Sequence, residues 1–244
     1  MRNFSAIIAA GTLAVSLLPL SAQAQEGTGP FGGTLSAEIG VTTDYVFRGI
    51  SQTDGDPALQ GGVEYAFPVG NMEIYAGVWG SSINFGGDGD GSLEFDYLAG
   101  LRGSHAGLDW DAGIIHYTYP GSSSSLDYDF TEFALSGAYD LGFVVPGAGI
   151  AYSPDFFGGT GDAWYYYATL EVPVPLPALE AYELGVYGRF GRQTIKDGDD
   201  YNEWLIGIGG SLYGLGLALE YTDTDISGDD LADDRFVFTV SAAF

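Results

Sequence analysis

From residue 35 onward, apolar and polar side chains alternate in runs of about ten residues, separated by stretches rich in Gly, Asp, Asn, Pro and Ser. Successive side chains of a strand point to opposite faces, so each run predicts a strand with one apolar and one polar face. Leu35, Ala37, Ile39, Val41, Thr43, Tyr45 and Phe47 share one parity, against Ser36, Glu38, Thr42 and Asp44. The stretch Tyr45 to Tyr65 passes through a polar turn holding Gly49, Gly55, Asp56 and Pro57. It returns with Leu59, Gly61, Val63, Tyr65 and Phe67 opposite Gln60, Gly62 and Glu64. It predicts a strand, an exposed surface loop and a returning strand, with Tyr45, Phe47 and Tyr65 facing outward and Glu64 inward.

The same rhythm continues to the end of the chain. Ile74, Ala76 and Val78 oppose Glu73, Tyr75 and Trp79; Leu93, Phe95, Tyr97 and Leu101 oppose Glu94, Asp96 and Arg102. Later runs set Asp109, Asp111, Glu132, Glu171, Glu183, Arg189, Glu203, Glu220 and Arg235 on the polar parity. The run from Phe143 to Tyr152 has no clear polar face and contains Pro146, so its phase is open. About twelve strands result. The connections near 48–57, 84–92, 119–128, 153–163, 191–200 and 224–233 are long and polar. Those near 68–71, 103–107, 140–142 and 213–214 are short, with 173–180 longer and rich in proline. Long and short connections alternate.

Composition narrows the class. Arg2, the apolar run Ala6 to Leu20 and Ala22-Gln23-Ala24 form a secretory signal peptide over residues 1–24, with cleavage near Gln25. The formal charge of −26 becomes one unit more negative on cleavage, and no basic footprint for nucleic acid exists. There is no cysteine, which excludes disulfide staples, thiolate metal sites and thiol nucleophiles. Thirty-nine glycines, 17 tyrosines and 15 phenylalanines are unlike a disordered acidic chain. An exported all-β chain must bury its apolar faces against a second sheet or against lipid. A soluble sandwich accounts for the alternation but not for one-sided loop lengths or for aromatics near strand ends. The prediction is an all-β, transmembrane, antiparallel up-and-down β-barrel at residues 25–244, with short periplasmic turns and long acidic extracellular loops.

The stretch YVFRGISQTDGDPALQGGVEY, followed by IYAGVWGS, resembles the N-terminal signature of the TorF-family porins of Gram-negative bacteria. The likeness continues in IIHYTYPG, YSPDFFG, EYTDTD and the closing DDRFVFTVSAAF. It covers essentially the whole mature chain, while the Gly-Asp loop at 86–91 and the proline-rich turn at 173–180 depart from it. The resemblance implies a Gram-negative outer-membrane barrel with a porin-like role. The terminal Phe244 is similar to the end signal that barrel-assembly machinery recognises.

In such a barrel the polar parity lines the lumen: Glu38, Glu64, Glu73, Glu94, Asp96, Arg102, Asp109, Asp111, Glu132, Glu171, Glu183, Arg189, Glu203, Glu220 and Arg235. Acids in such excess favour cations, which predicts a passive, cation-preferring channel for small solutes. Two alternatives remain open: the arginines pair with acids and close the lumen, or the acidic loops act as a surface module in adhesion or envelope stability. At the first loop, Arg48 either forms a constriction with Asp54 or Asp56 or holds the loop through backbone carbonyls. Asp223, Asp225, Ser227 and Asp234 are spaced like an EF-hand calcium loop, although strands flank them and the last ligand is Asp. Diffuse divalent binding by the acidic loops would let them sit among lipopolysaccharide phosphates; no other cofactor is expected. His116 lies near Ser122 to Ser125 without a nucleophile elbow or an orienting partner, so catalysis is not expected.

Overall fold

The computed structural model describes residues 30–87, 89–175 and 181–244. The signal peptide expected at residues 1–24 lies outside the described residues. Twelve strands close into one antiparallel barrel: β1 (Thr34–Thr42), β4 (Ala58–Val69), β5 (Met72–Ser82), β6 (Leu93–His105), β7 (Leu108–Thr118), β8 (Phe130–Tyr139), β9 (Val145–Ser153), β10 (Ala163–Pro173), β11 (Gly185–Ile195), β12 (Tyr201–Leu212), β13 (Leu215–Thr224) and β14 (Arg235–Ala243). Each strand pairs with its neighbour in sequence, and β1 closes on β14 from Glu38–Ala243 to Thr42–Thr239. The two remaining strands, β2 (Val46–Phe47) and β3 (Ile50–Ser51), pair only with each other.

The alternation has a direct structural meaning. Leu35, Ile39, Leu59, Ile74, Leu101, Phe133, Leu135, Phe190, Ile206, Leu219 and Phe236 all project from the outer wall, exposed, while the opposite parity points into the barrel. An apolar outer belt on a closed sheet leaves no unpaired edge and matches a hydrocarbon surround. The phase of β9 is now defined. Tyr166 pairs with Ile150 and Ala168 with Ala148, so Ile150 and Tyr152 share the outward parity and Val145, Gly147, Gly149 and Ala151 face in. The inward residues are small because Tyr167 of β10 leans over them: a Cβ on Gly149 would overlap its ring.

The long connections 43–57, 83–92, 119–129, 154–162 and 225–234 share one end, while the proline-rich connection 174–184, of similar length, lies among the short ones at the other. The loop near 191–200 is shorter than expected, because β11 continues to Ile195. The larger departure is at the start. The strand read from Leu35 to Phe47 ends at Thr42. Beyond it the chain leaves the wall and enters the barrel.

Candidate functional site

The lumen has two zones, and the first loop divides them. Asp44 directs the chain inward: its Oδ1 accepts from Ser51 Oγ (2.6 Å) and Thr53 Oγ1 (2.8 Å), and its Oδ2 pairs with Arg235 Nη1 (2.7 Å). The Tyr45 amide donates to Thr53 Oγ1 at 3.1 Å. Between Phe47 and Ile50, Arg48 (φ 48°) and Gly49 (φ 82°) both adopt left-handed backbone, which is what a two-residue hairpin turn matched to strand twist requires. A side chain at Gly49 would strike the Thr224 methyl and the Glu203 Cβ. The hairpin is therefore seated against β12 and β13 from inside.

Arg48 crosses the lumen. Its Nη2 pairs with Glu132 Oε2 of β8 at 2.7 Å and its Nη1 donates to Gln193 Oε1 of β11 at 2.7 Å. The guanidinium lies 4.1 Å from the Tyr165 ring centre and 4.6 Å from that of Phe47. Arg48 is 3% exposed and Glu132 1%. Burial alone would lower the guanidinium pKa, but the Glu132 carboxylate and Tyr117 override it and the net direction is upward. The charge is thus locked on. Around the hairpin, Tyr45, Trp79, Ile115, Tyr117, Tyr119, Phe130 and Phe156 form a buried apolar cluster. Tyr45 packs edge-on against Trp79, ring centres 5.5 Å apart, and its hydroxyl donates to Glu94 Oε1 at 3.2 Å. Hairpin and cluster make a plug in the half of the barrel nearer the long loops.

Below the plug is a cavity of about 980 Å³ whose lining runs from Arg48, Trp79, Asp96 and Tyr165 down to the short-turn residues Gly70, Asn71, Ser104 and Ser211. Among the described residues, Val46 and Arg48 of the first loop line it, and no residue of the other connections at that end does. Glu38, Glu64, Glu73, Asp96, Arg102, Asp109, Asp111, Glu171, Glu183, Arg189 and Glu220 all line this vestibule. Arg102 bridges Glu64 (2.7 Å) and Glu73 (2.8 Å), Arg189 Nε pairs with Glu203 Oε1 at 2.8 Å, and the Tyr75 hydroxyl donates to Asp111 Oδ1 at 2.8 Å. Tyr165 also donates to Glu203. Glu38, Asp109 and Glu171 have no hydrogen-bond or ion-pair partner among the described residues. Acid exceeds base along the wall.

Several expected placements change. Tyr45 and Phe47 do not face lipid: Tyr45 is buried in the plug, and Phe47 packs edge-on to Tyr117, because the strand ends before them. Arg48 does turn inward, but Asp54 and Asp56 stay exposed at the loop tip and its partners are Glu132 and Gln193, neither loop acids nor backbone carbonyls. Glu94, Glu132 and Glu203 point inward but are sealed at the plug, and Arg235 sits with Asp44 at the seam. At the calcium-like spacing, as elsewhere among the described residues, no group of three or more acidic or imidazole side chains is gathered. Asp225 instead accepts from the Asn202 amide (2.7 Å) and side chain (2.5 Å), which holds its carboxyl below the usual range. His116 is on the exposed outer face, beside Thr131 Oγ1 (2.9 Å) and stacked with Tyr97. Sequence reasoning passed over Tyr117, Tyr165 and Gln193. Their signal was large side chains on the lumen parity, which fill an interior that small residues would leave to water.

The barrel is similar to solved porin structures at low identity. A KdgM porin superposes with a TM-score of 0.52 at 8% identity, covering 86% of this chain and 99% of that one. A NanC porin gives 0.54 at 8% identity, covering 86% and 98%. No curated protein sequence matches the chain. The model of the Gcw_chp family matches residues 24–244, and the chain belongs to that family, described as bacterial proteins of unknown function.

Proposed function

We propose that the protein is an outer-membrane channel of porin type that passes small solutes passively and prefers cations. The observation that carries this reading is the vestibule, open toward the short turns and lined by an excess of carboxylates, three of them unpartnered. Carboxylate rings concentrate cations and repel anions. The porin-like fold of the neighbours supports it. In this reading the chain is exported, cleaved near Gln25 and inserted with help from assembly machinery that engages Phe244, and its long acidic loops meet lipopolysaccharide through divalent ions. The finer likeness to TorF-family porins belongs to the same proposal. Conduction requires the first-loop plug to move, since Arg48 and its partners close the inner end of the vestibule.

The test is single-channel recording in planar bilayers under a KCl gradient. Conductance steps with a cation-selective reversal potential are expected, larger or more frequent in Arg48→Ala. Anion selectivity sinks the cation preference. One observation favours a second reading, a closed barrel with a structural role: the guanidinium of Arg48 is enclosed and held by side chains from two strands of the wall, β8 and β11. Absence of steps in both the natural protein and Arg48→Ala selects that reading.

A further inference from the structure

Buried polar atoms without partners mark where a ligand is missing from the hydrogen-bond account. Two lie at the inner end of the vestibule, on cross-strand neighbours: Asp96 Oδ1 of β6, an acceptor that a cation can meet, and Trp79 Nε1 of β5, a donor that an ammonium leaves to water; both residues are 4% exposed and both line the cavity. A third, Asp111 Oδ2 on β7, lies lower on the same wall. Arg102, six residues beyond Asp96 on β6, pairs in register with Asp111, so the two carboxylates are separated by roughly 20 Å along the strand, or about 15 Å along the axis of a tilted barrel. Glu38 lines the same vestibule without a partner. A carboxylate withdrawn from water needs a cationic or hydrogen-bonding partner. The recorded contacts of Arg48 run to Glu132 and Gln193, and none of them reaches Asp96 Oδ1.

We propose that the vestibule is a binding site for a linear aliphatic polyamine, with one ammonium on Asp96 against the Trp79 ring and a distal one at Asp111. An organic cation suits a lining in which the acids stand far apart and aromatic rings lie between them. The indole and the rings of Tyr167 and Tyr187 line the same cavity, where methylene and ammonium groups meet aromatic carbon. A separation of this order, about 15–20 Å, is spanned by an extended tetraamine with one terminal ammonium at each acid and is too long for a diamine. The inference deepens the channel reading and rests on it for its biological meaning, while the binding itself does not require conduction.

Calorimetric titration of the intact barrel in detergent micelles, in KCl near physiological strength, tests it with spermine, 1,4-diaminobutane and MgCl2 as probes. Saturable one-to-one binding of spermine is expected, weaker for the diamine and not displaced by equimolar Mg²⁺. Asp96→Asn should weaken spermine by at least about tenfold, the size expected for one lost charge-assisted bond. Asp111→Asn should weaken spermine but not the diamine, and Trp79→Phe should abolish the fluorescence change on binding. Absent or unsaturable spermine binding, full displacement by Mg²⁺, or undiminished affinity in Asp96→Asn overturns the site. Should Asp96→Asn fail to give a heat-modifiable barrel, undiminished spermine affinity in Asp111→Asn overturns it instead. Binding without conductance sinks the channel reading and keeps the site, and conductance without binding does the reverse.

Discussion

Arg48→Ala strips the plug of its charged anchor, and the structure sets the size of the effect. Glu132, 1% exposed, keeps only the Tyr117 hydroxyl at 3.2 Å, and Gln193 loses its donor. Removing one member of a buried pair costs about 3–5 kcal/mol, because the remaining charge is stranded. Loss of the guanidinium between Phe47 and Tyr165 is part of that same cost and is not added to it. If all of it falls on the seated state, the balance between seated and displaced plug shifts by a factor on the order of a thousand. Urea unfolding in detergent, followed by tryptophan fluorescence, measures the stability, and planar-bilayer recording measures the plug. Glu132→Gln in the same background should recover much of the loss, giving a coupling above about 2 kcal/mol in the double-mutant cycle. A cycle that is additive within about 0.5 kcal/mol refutes the anchor, as does a single variant with unchanged midpoint and unchanged conductance.

Gly49→Ala should cost about 2 kcal/mol in the same unfolding assay, from left-handed strain and from the clash with Thr224, and should raise conductance as Arg48→Ala does. Ile206→Arg, on the outer face at mid-strand and 59% exposed, should cost about 2–4 kcal/mol in lipid vesicles, while Ser211→Arg on the vestibule side of the same strand should cost under about 1 kcal/mol. Asp225 ionises below its unfolded value because Asn202 donates to it. Its contribution is therefore full above the ordinary Asp range and lost as pH falls through the depressed value, at and below about pH 4. Proteolysis of the 225–234 loop should accelerate in that window with an acid-active protease, and Asp225→Ala should already be fast at neutral pH.

The outer wall was legible because lipid-facing residues obey a local rule. Ile206 and Ile208 on β12, or Phe236 and Phe238 on β14, announce their face within four residues. β9 was not legible, since what sets its inward glycines is Tyr167 on the neighbouring strand, and the chain shows no polar face where another strand's ring fills the space. Tyr45 and Phe47 misled for a related reason. Their alternation continues that of β1, yet the departure from the wall depends on Asp44 meeting Arg235, 191 residues away. Likewise the partners of Arg48 stand 84 and 145 residues further along. Periodicity carries faces, but it carries no information on which distant side chain completes a charge.

The seam between β1 and β14 has a consequence in time. Every other pairing in the barrel joins neighbours in the chain and can form as soon as both strands are made, whereas this one waits for the last residues. It is bracketed by backbone bonds from Thr43 to Phe238 and between Ala37 and Phe244. The β2–β3 hairpin is tethered to both sides of that seam, through β1 by the chain itself and through β14 by Asp44 and Arg235. A chain cut before Arg235 would thus lose the closure of the cylinder and, with it, the Asp44 mooring of the hairpin, leaving Arg48 on Glu132 and Gln193 to hold the stopper in an open sheet.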